Sequence, residues 1–255
     1  MIGAIAGDMI GSVHESYPIK TKDFPLFTLG STFTDDTVLT VALADSILNN
    51  KPYVLMLKEY HRAYPWAGYG GAFEVWATSE KTEPYYSWGN GSAMRVSPVG
   101  FAYNDLEIVL EEAKKSAEIT HNHPEGIKGA QATASAIFLA RAGNDKKVIK
   151  EYIEKTFGYN LSQPLKKIRS RYYFDASCQG SVPESIVAFL ESENYEDAIR
   201  NAISLGGDGD TMACIAGGIA QAFYGEVPKA IQDQAFKMLD ERLGGITRQF
   251  IKQYL

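Results

Sequence analysis

Hydrophobic and polar positions follow one another along this chain with the period of a helix. In MIGAIAGDMIGSVHE, residues 1–15, Ile2, Ile5, Ala6, Met9, Ile10 and Val13 return at three and four and share one face. Gly3, Gly7 and Gly11 fall four apart on a neighbouring stripe. Each glycine costs a helix about 1 kcal/mol against alanine, so the stripe predicts a second helix in close approach. FTDDTVLTVALADSILNN, residues 33–50, predicts another helix, with Thr34 as N-cap, Asp35 and Asp36 in the first turn and an apolar body. Further helical patterns cover 105–119, 124–142, 145–157, 182–192, 194–204, 211–225 and 227–244. Pro183 suits a first turn, and Gly225 suits the position after a helix end.

Alternation with period two is nearly absent; RYYFDASC, residues 171–178, is the best strand candidate. Residues 64–101 differ in kind, being rich in glycine and aromatics and at least partly looped. Long segments of that composition often carry function. No repeat, low-complexity tract or linker interrupts the pattern. The expectation is an all-α single domain spanning 1–255.

Composition narrows the function classes. The chain has 255 residues, 45% hydrophobic and 22% charged, which is the balance of an ordinary globular protein. A net charge of −6 argues against a nucleic-acid sleeve or a binder of anionic membranes. It leaves room for a small anionic ligand held by backbone amides or metal ions. The opening apolar stretch has no basic flank and is interrupted by Asp8, so it reads as neither signal peptide nor membrane span, and a cytoplasmic location is expected. Cys178 and Cys214 form no CxxC pair and read as reduced core residues.

The candidate chemistry sits at helix beginnings. FTDDT and SLGGDGDTMACIAGG (204–218) each set hydroxyl and carboxylate oxygens at the mouth of a strongly apolar helix. Taken singly, each has a plain explanation as a cap or a turn. Taken together, they predict four converging carboxylates if the two helix N-termini meet. Such a cluster repels itself unless protonated or bound to cations, and oxygen-only ligands suit Mg²⁺ or Mn²⁺. Zinc is disfavoured, because no His/Cys set has ligand spacing. Asp8 reads first as a cap for a neighbouring helix and second as part of the acidic site, and Glu15 closes the first helix. In SWGNGSAMR (87–95), Gly89, Asn90 and Gly91 either point amides at an anion or form a tight turn. Trp88 beside them either stacks on a base or anchors the core. His121 and His123 form a poor chelate in THNHPEG.

GDMIGSVHE, FTDDT, SWGNGSAMR, ITHNHPEGIKGAQATASAIFLAR and SLGGDGDTMACIAGGIAQAFYG occur in this order across residues 1–225. In that combination the chain resembles the ADP-ribosylglycohydrolase family, which includes the dinitrogenase-reductase-activating glycohydrolases. The resemblance implies an all-α orthogonal multi-helix bundle and a binuclear Mg²⁺ or Mn²⁺ site. It implies Thr34, Asp35, Asp36, Asp208, Asp210 and Thr211 as metal ligands. Glu15 matches an acid implicated in catalysis or in gating the metals. Ser87, Trp88 and Asn90 match positions around the diphosphate of ADP-ribose and its stacked ring, with Gly89 and Gly91 on either side of Asn90, and His121 matches a histidine near the ligand. Gln179–Val182 resembles a region lining the nucleotide end of the cleft. The chain departs from the resemblance at Gly209, where many family members carry threonine or serine.

The activity implied is hydrolysis at C1″ of the distal ribose of an ADP-ribosyl conjugate, with Glu15 or Asp36 as general base. The partner would be an ADP-ribosylated protein or a small-molecule conjugate, with no nucleic acid and no membrane. Three rivals remain on the sequence: a hydrolase of another nucleotide-sugar or phosphate ester, a non-catalytic ADP-ribose-binding module, and a purely structural role for the acids.

Overall fold

In the computed structural model, which describes residues 1–255, the chain runs through α1 (Ile2–Glu15), α2 (Asp35–Asn49), α3 (Tyr53–Ala63), α4 (Gly71–Thr78), α5 (Gly91–Met94), α6 (Ser97–Ala102), α7 (Leu106–Glu118) and α8 (Pro124–Arg141). It continues through α9 (Lys146–Phe157), α10 (Leu165–Arg169), α11 (Cys178–Leu190), α12 (Tyr195–Ile203), α13 (Gly209–Tyr224), α14 (Lys229–Met238) and α15 (Glu241–Tyr254). The fold is all-α, as the periodicity predicts. One continuous core of 69 buried apolar residues draws on both ends of the chain. No helix is long and apolar enough to cross a membrane.

The glycine stripe of α1 is covered by α13, and no other helix pair packs more extensively. A Cβ at Gly3 would lie 2.6 Å from Gly217 O, and one at Gly11 would lie 2.5 Å from the Cα of Asp210. Side chains at these positions would force the two backbones apart. The contact at Gly11 matters most, because it sets the last turn of α1 against the first turn of α13. α2 packs against α1 and α13 as well, so three apolar helices meet near one end of the core.

Several boundaries depart from the sequence expectation. The candidate strand 171–178 reduces to a single antiparallel bridge between Gly89 and Ser177. Residues 173–176 are exposed, so an alternating pattern there has no core face to bury. Pro183 lies inside α11 rather than in its first turn. Ser177 supplies the cap a turn earlier, its Oγ accepting from Gly180 N at 3.1 Å, and proline forgoes only the amide bond back to Gln179. The stretch 227–244 is two helices: α14 stops at Met238, and Asp240 Oδ1 caps α15 by accepting from Leu243 N at 2.9 Å. α15 then runs through Gly244 and Gly245, and α3 is a helix outside the predicted set. Gly225 ends α13 with φ +80°, as its position suggests.

Candidate active site

Asp8 decides how α2 begins. It lies fully buried in α1, and its Oδ2 accepts from Thr34 N at 3.0 Å and Thr37 N at 3.1 Å. Thr34 Oγ1 donates to Oδ1 at 2.7 Å, and the Thr37 hydroxyl donates to Oδ2. These bonds satisfy amides that a helix start leaves without partners. Thr34 is the N-cap as predicted, its Oγ1 accepting from Asp36 N at 3.3 Å. The next two residues therefore present their carboxylates at a fixed place, Asp36 buried and Asp35 less so.

α13 delivers the second acid pair. Asp208 stands at its N-cap, Asp210 lies in its first turn, and both are buried. Asp210 Oδ1 accepts from Thr211 N at 2.8 Å, and Thr211 Oγ1 donates to Asp36 Oδ2 at 3.1 Å across the junction. Of the four carboxylates predicted to converge, Asp36, Asp208 and Asp210 meet in two triads, while Asp35 lines the same cavity but belongs to neither. Carboxyl oxygens of Asp8, Asp36 and Asp210 fall within 4.8 Å of one another, and so do those of Glu15, Asp208 and Asp210. Asp210 belongs to both triads. No lysine or arginine is paired with any of these acids, and Asp36 Oδ1 is buried with no hydrogen-bond partner.

Burial raises every pKa in the cluster, and repulsion among the acids adds to it at Glu15, Asp35, Asp36 and Asp210. Burial pushes Asp8 up to about 6 against the pull of its four hydrogen bonds. Burial and then neighbouring charge hold Asp35, Asp36 and Asp210 well above the usual carboxylate range. Asp208 is raised by burial, and its bonds to Asp210 and Asn90 oppose the rise. Glu15 is raised by burial and then by the charges of Asp208 and Asp8. A donor set of hard oxygens, negative and without cationic partners, fits a divalent ion such as Mg²⁺ or Mn²⁺.

Glu15, Asp35, Asp36, Asp208 and Asp210 line one end of a cavity of about 390 Å³, and Asp8 lies behind them outside its lining. Ser87, Gly89, Asn90, Gly91, Arg95 and His121 line it as well, so the motif from 87 onward and the early histidine share one space with the acids. Asn90 joins the two groups, its Nδ2 donating to Asp208 Oδ2 at 2.8 Å. It adopts a right-handed helical conformation at the head of α5, not a hairpin turn. The expected fan of three amides is not formed. Gly89 N donates to Ser87 Oγ at 3.1 Å and Asn90 N to Ala176 O at 2.8 Å, which leaves only Gly91 N without an acceptor in the chain. His121 is buried, with Nδ1 2.7 Å from Thr120 Oγ1, and burial followed by the charge of Arg95 holds its pKa well below the usual value.

A family model described as ADP-ribosylglycohydrolase matches residues 1–253. The chain belongs to the ADP-ribosylglycohydrolase family. It is 28% identical to ADP-ribosylhydrolase ARH3 of Xenopus tropicalis, over 89% of this chain and 86% of that protein. It is 28% identical to ARH3 of Homo sapiens, over 91% and 86% respectively. ADP-ribosylarginine hydrolase Tri1 of Pseudomonas putida is 24% identical, over 88% of this chain and 69% of its own length. A solved structure titled ADP-ribosylglycohydrolase-related protein complex has the same fold, with a TM-score of 0.73 at 22% identity, covering 100% of this chain and 97% of that one.

Not every position suggested by the likeness to the ADP-ribosylglycohydrolases reaches the cavity. Thr34 is outside its lining, held by Asp8 and the Asp36 amide. Trp88 is 52% exposed, tilted against His123 with ring centroids 5.5 Å apart, so it neither anchors the core nor lines the cavity. Gln179–Val182 lies in α11, and Phe174 and Ala176 line that side instead. They are tied in place by the bridge at Ser177 and by Cys178 N, which donates to Trp88 O at 2.9 Å. At the departure from the family pattern, a Cβ on Gly209 would meet the carbonyl carbon of His14 at 3.2 Å. Here α1 lies closer to α13 than a side chain comfortably allows.

Two contributors went unread in the sequence. Arg95 is wholly buried in the cavity wall, whereas an arginine in sequence reads as surface. Thr120 is likewise buried, and nothing but its adjacency to His121 marks it.

Proposed function

We propose that this chain hydrolyses the glycosidic bond at C1″ of the distal ribose in an ADP-ribosyl conjugate, releasing ADP-ribose. The observation that carries the reading is the pair of acid triads sharing Asp210 at one end of a cavity, in a chain whose family and relatives bear the names of ADP-ribosyl hydrolases. The partner is an ADP-ribosylated protein side chain or a small-molecule conjugate.

In this reading Asp35, Asp36, Asp208, Asp210 and Thr211 hold two Mg²⁺ or Mn²⁺ ions. Thr34, its hydroxyl bonded to Asp8 and to the Asp36 amide, serves the site as the cap that fixes Asp35 and Asp36. The ions, when bound, supply Lewis acidity and a template for water and the ribose hydroxyls. The chain's own residues do the rest. Glu15 takes the proton of the attacking water: it is the most exposed acid of the cluster, and its raised pKa makes it a better base than an ordinary surface glutamate. Asp36, the other candidate base, is fully enclosed and accepts from Thr211, which suits a fixed ligand better than a proton carrier. The surrounding carboxylates favour the positive charge that develops on the ribose as its bond breaks. Asn90 keeps Asp208 in place. Ser87, Gly91 and His121 receive the diphosphate, and Trp88 braces the nucleotide from the rim.

Arginine-, serine- and O-acetyl-linked ADP-ribose, each incubated with the protein and Mg²⁺, test the reading when free ADP-ribose is followed by mass spectrometry. Release from at least one conjugate is expected, with loss of at least 100-fold in Asp210→Ala, the scale of removing one electrostatic element from an active site. Binding of ADP-ribose with no release from any conjugate would instead make the chain a binding module.

A further inference from the structure

Arg95 is the largest fully buried side chain in the molecule. Its Nη2 donates to Ser116 O at 2.9 Å and to Thr120 Oγ1 at 2.8 Å, and its Nε and Nη1 have no acceptor in the chain. No carboxylate pairs with it. Burial lowers its pKa only to about 10, so the guanidinium is charged at neutral pH.

The direction of the next hydrogen bond follows from what each group can do. A guanidinium only donates, so Thr120 Oγ1 must accept from it. The proton of that hydroxyl points to Nδ1 of His121 at 2.7 Å; the Tyr85 hydroxyl also lies near Thr120 but makes no hydrogen bond of ordinary geometry with it. An Nδ1 that accepts carries no proton, so a neutral ring must carry its proton on Nε2. The opposite tautomer would turn the buried Thr120 hydroxyl proton away from its one well-placed acceptor. A doubly protonated ring is opposed by burial and by the charge of Arg95 beside it. Nε2 looks into the cavity at a place kept clear by glycine, since a Cβ on Gly91 would stand 3.2 Å from it and one on Gly89 3.5 Å.

We propose that Arg95 and Thr120 are positioning residues that hold His121 as its neutral Nε2–H tautomer, so that an uncharged donor faces the anionic oxygens of the ligand. The ligand half of this inference rests on the ADP-ribose reading of the cavity; the tautomer half does not. The arrangement gives the cavity a donor for phosphate oxygen at one end without adding a movable positive charge near the acids at the other.

The test is a long-range ¹H–¹⁵N correlation spectrum of histidine-labelled protein near neutral pH, with His121 assigned through His121→Gln. The wild-type ring should be neutral with its proton on Nε2, and that nitrogen should shift when ADP-ribose is added. Thr120→Val should mix or reverse the tautomers and raise KM about fivefold to tenfold with a smaller change in kcat, the scale of one hydrogen bond. Thr120→Ser should restore both. A wild-type ring protonated on Nδ1 overturns the proposal, as does a Thr120→Val variant with the wild-type tautomer. ADP-ribose that binds without moving the Nε2 signal overturns the ligand half alone. Failure of ADP-ribose to bind counts against the proposed function, while the tautomer in the free protein still decides the positioning role.

Discussion

Asp8 and Asp36 belong to the same triad but are held in opposite ways. Asp8 accepts four hydrogen bonds at the head of α2, whereas Asp36 has one oxygen with no partner. Replacing Asp8 with alanine strips a helix start of its acceptors in a buried place, and urea unfolding should show a loss of about 2–4 kcal/mol, the scale of a lost cap plus buried unsatisfied amides. Asp36→Asn should be neutral or stabilising in EDTA, because it removes a buried charge surrounded by like charges. If the two variants lose the same stability in EDTA, the division between cap and ligand is wrong. Position in sequence gave away Asp35, Asp36, Asp208 and Asp210, since a helix mouth fixes where a carboxylate points. It gave no purchase on Arg95, whose burial depends on packing between α5, α7 and α8 that no local pattern encodes. Asn90 was placed at the right cavity, but its bond to Asp208 is a contact between residues 118 positions apart.

The elements that carry the site are those with the strongest patterns. α1, α2 and α13 were legible from apolar spacing, caps and the glycine stripe. α15 was not, because Gly244–Gly245 reads as a stop while packing carries the helix through it. Gly7→Ala tests the stripe: alanine gains about 1 kcal/mol of helix propensity, yet its Cβ would strike the backbone of α13 at Ala213. A net loss of about 1–3 kcal/mol is expected from such overpacking, and a gain in melting temperature would show that α1 and α13 are not in contact there. α11 makes a separate prediction through Glu184, whose pKa is pushed up to about 7 by burial and then by Asp175, with Arg171 opposing. Its native pKa lies above the unfolded one, so the folded state holds the extra proton between about pH 4.5 and 7. Its contribution is therefore complete at low pH and lost as pH rises through that window. Glu184→Gln should remove this part of the pH dependence and raise stability at pH 8 by on the order of 1–2 kcal/mol. Chemical denaturation at pH 5 and pH 8 checks the sign.

Across the whole molecule, the cavity joins an acidic end made by three helix termini to a polar end made by residues 87–91 and His121. The fold supplies this by bringing residues near 8, 35, 90, 121 and 210 together around one core, and only the order of motifs along the chain hinted at that arrangement. An acid cluster without internal cations should make the protein's stability depend on divalent ions. Mg²⁺ at about 100 times its Kd should stabilise the wild type by about 2.7 kcal/mol, and Asp210→Ala by far less. The most direct test of the central claim is release of ADP-ribose by protein stripped with EDTA and then returned to Mg²⁺ or Mn²⁺, assayed on whichever conjugate the wild type cleaves. Turnover should fall to background on stripping and return with the metal. Turnover unchanged by stripping would contradict the account.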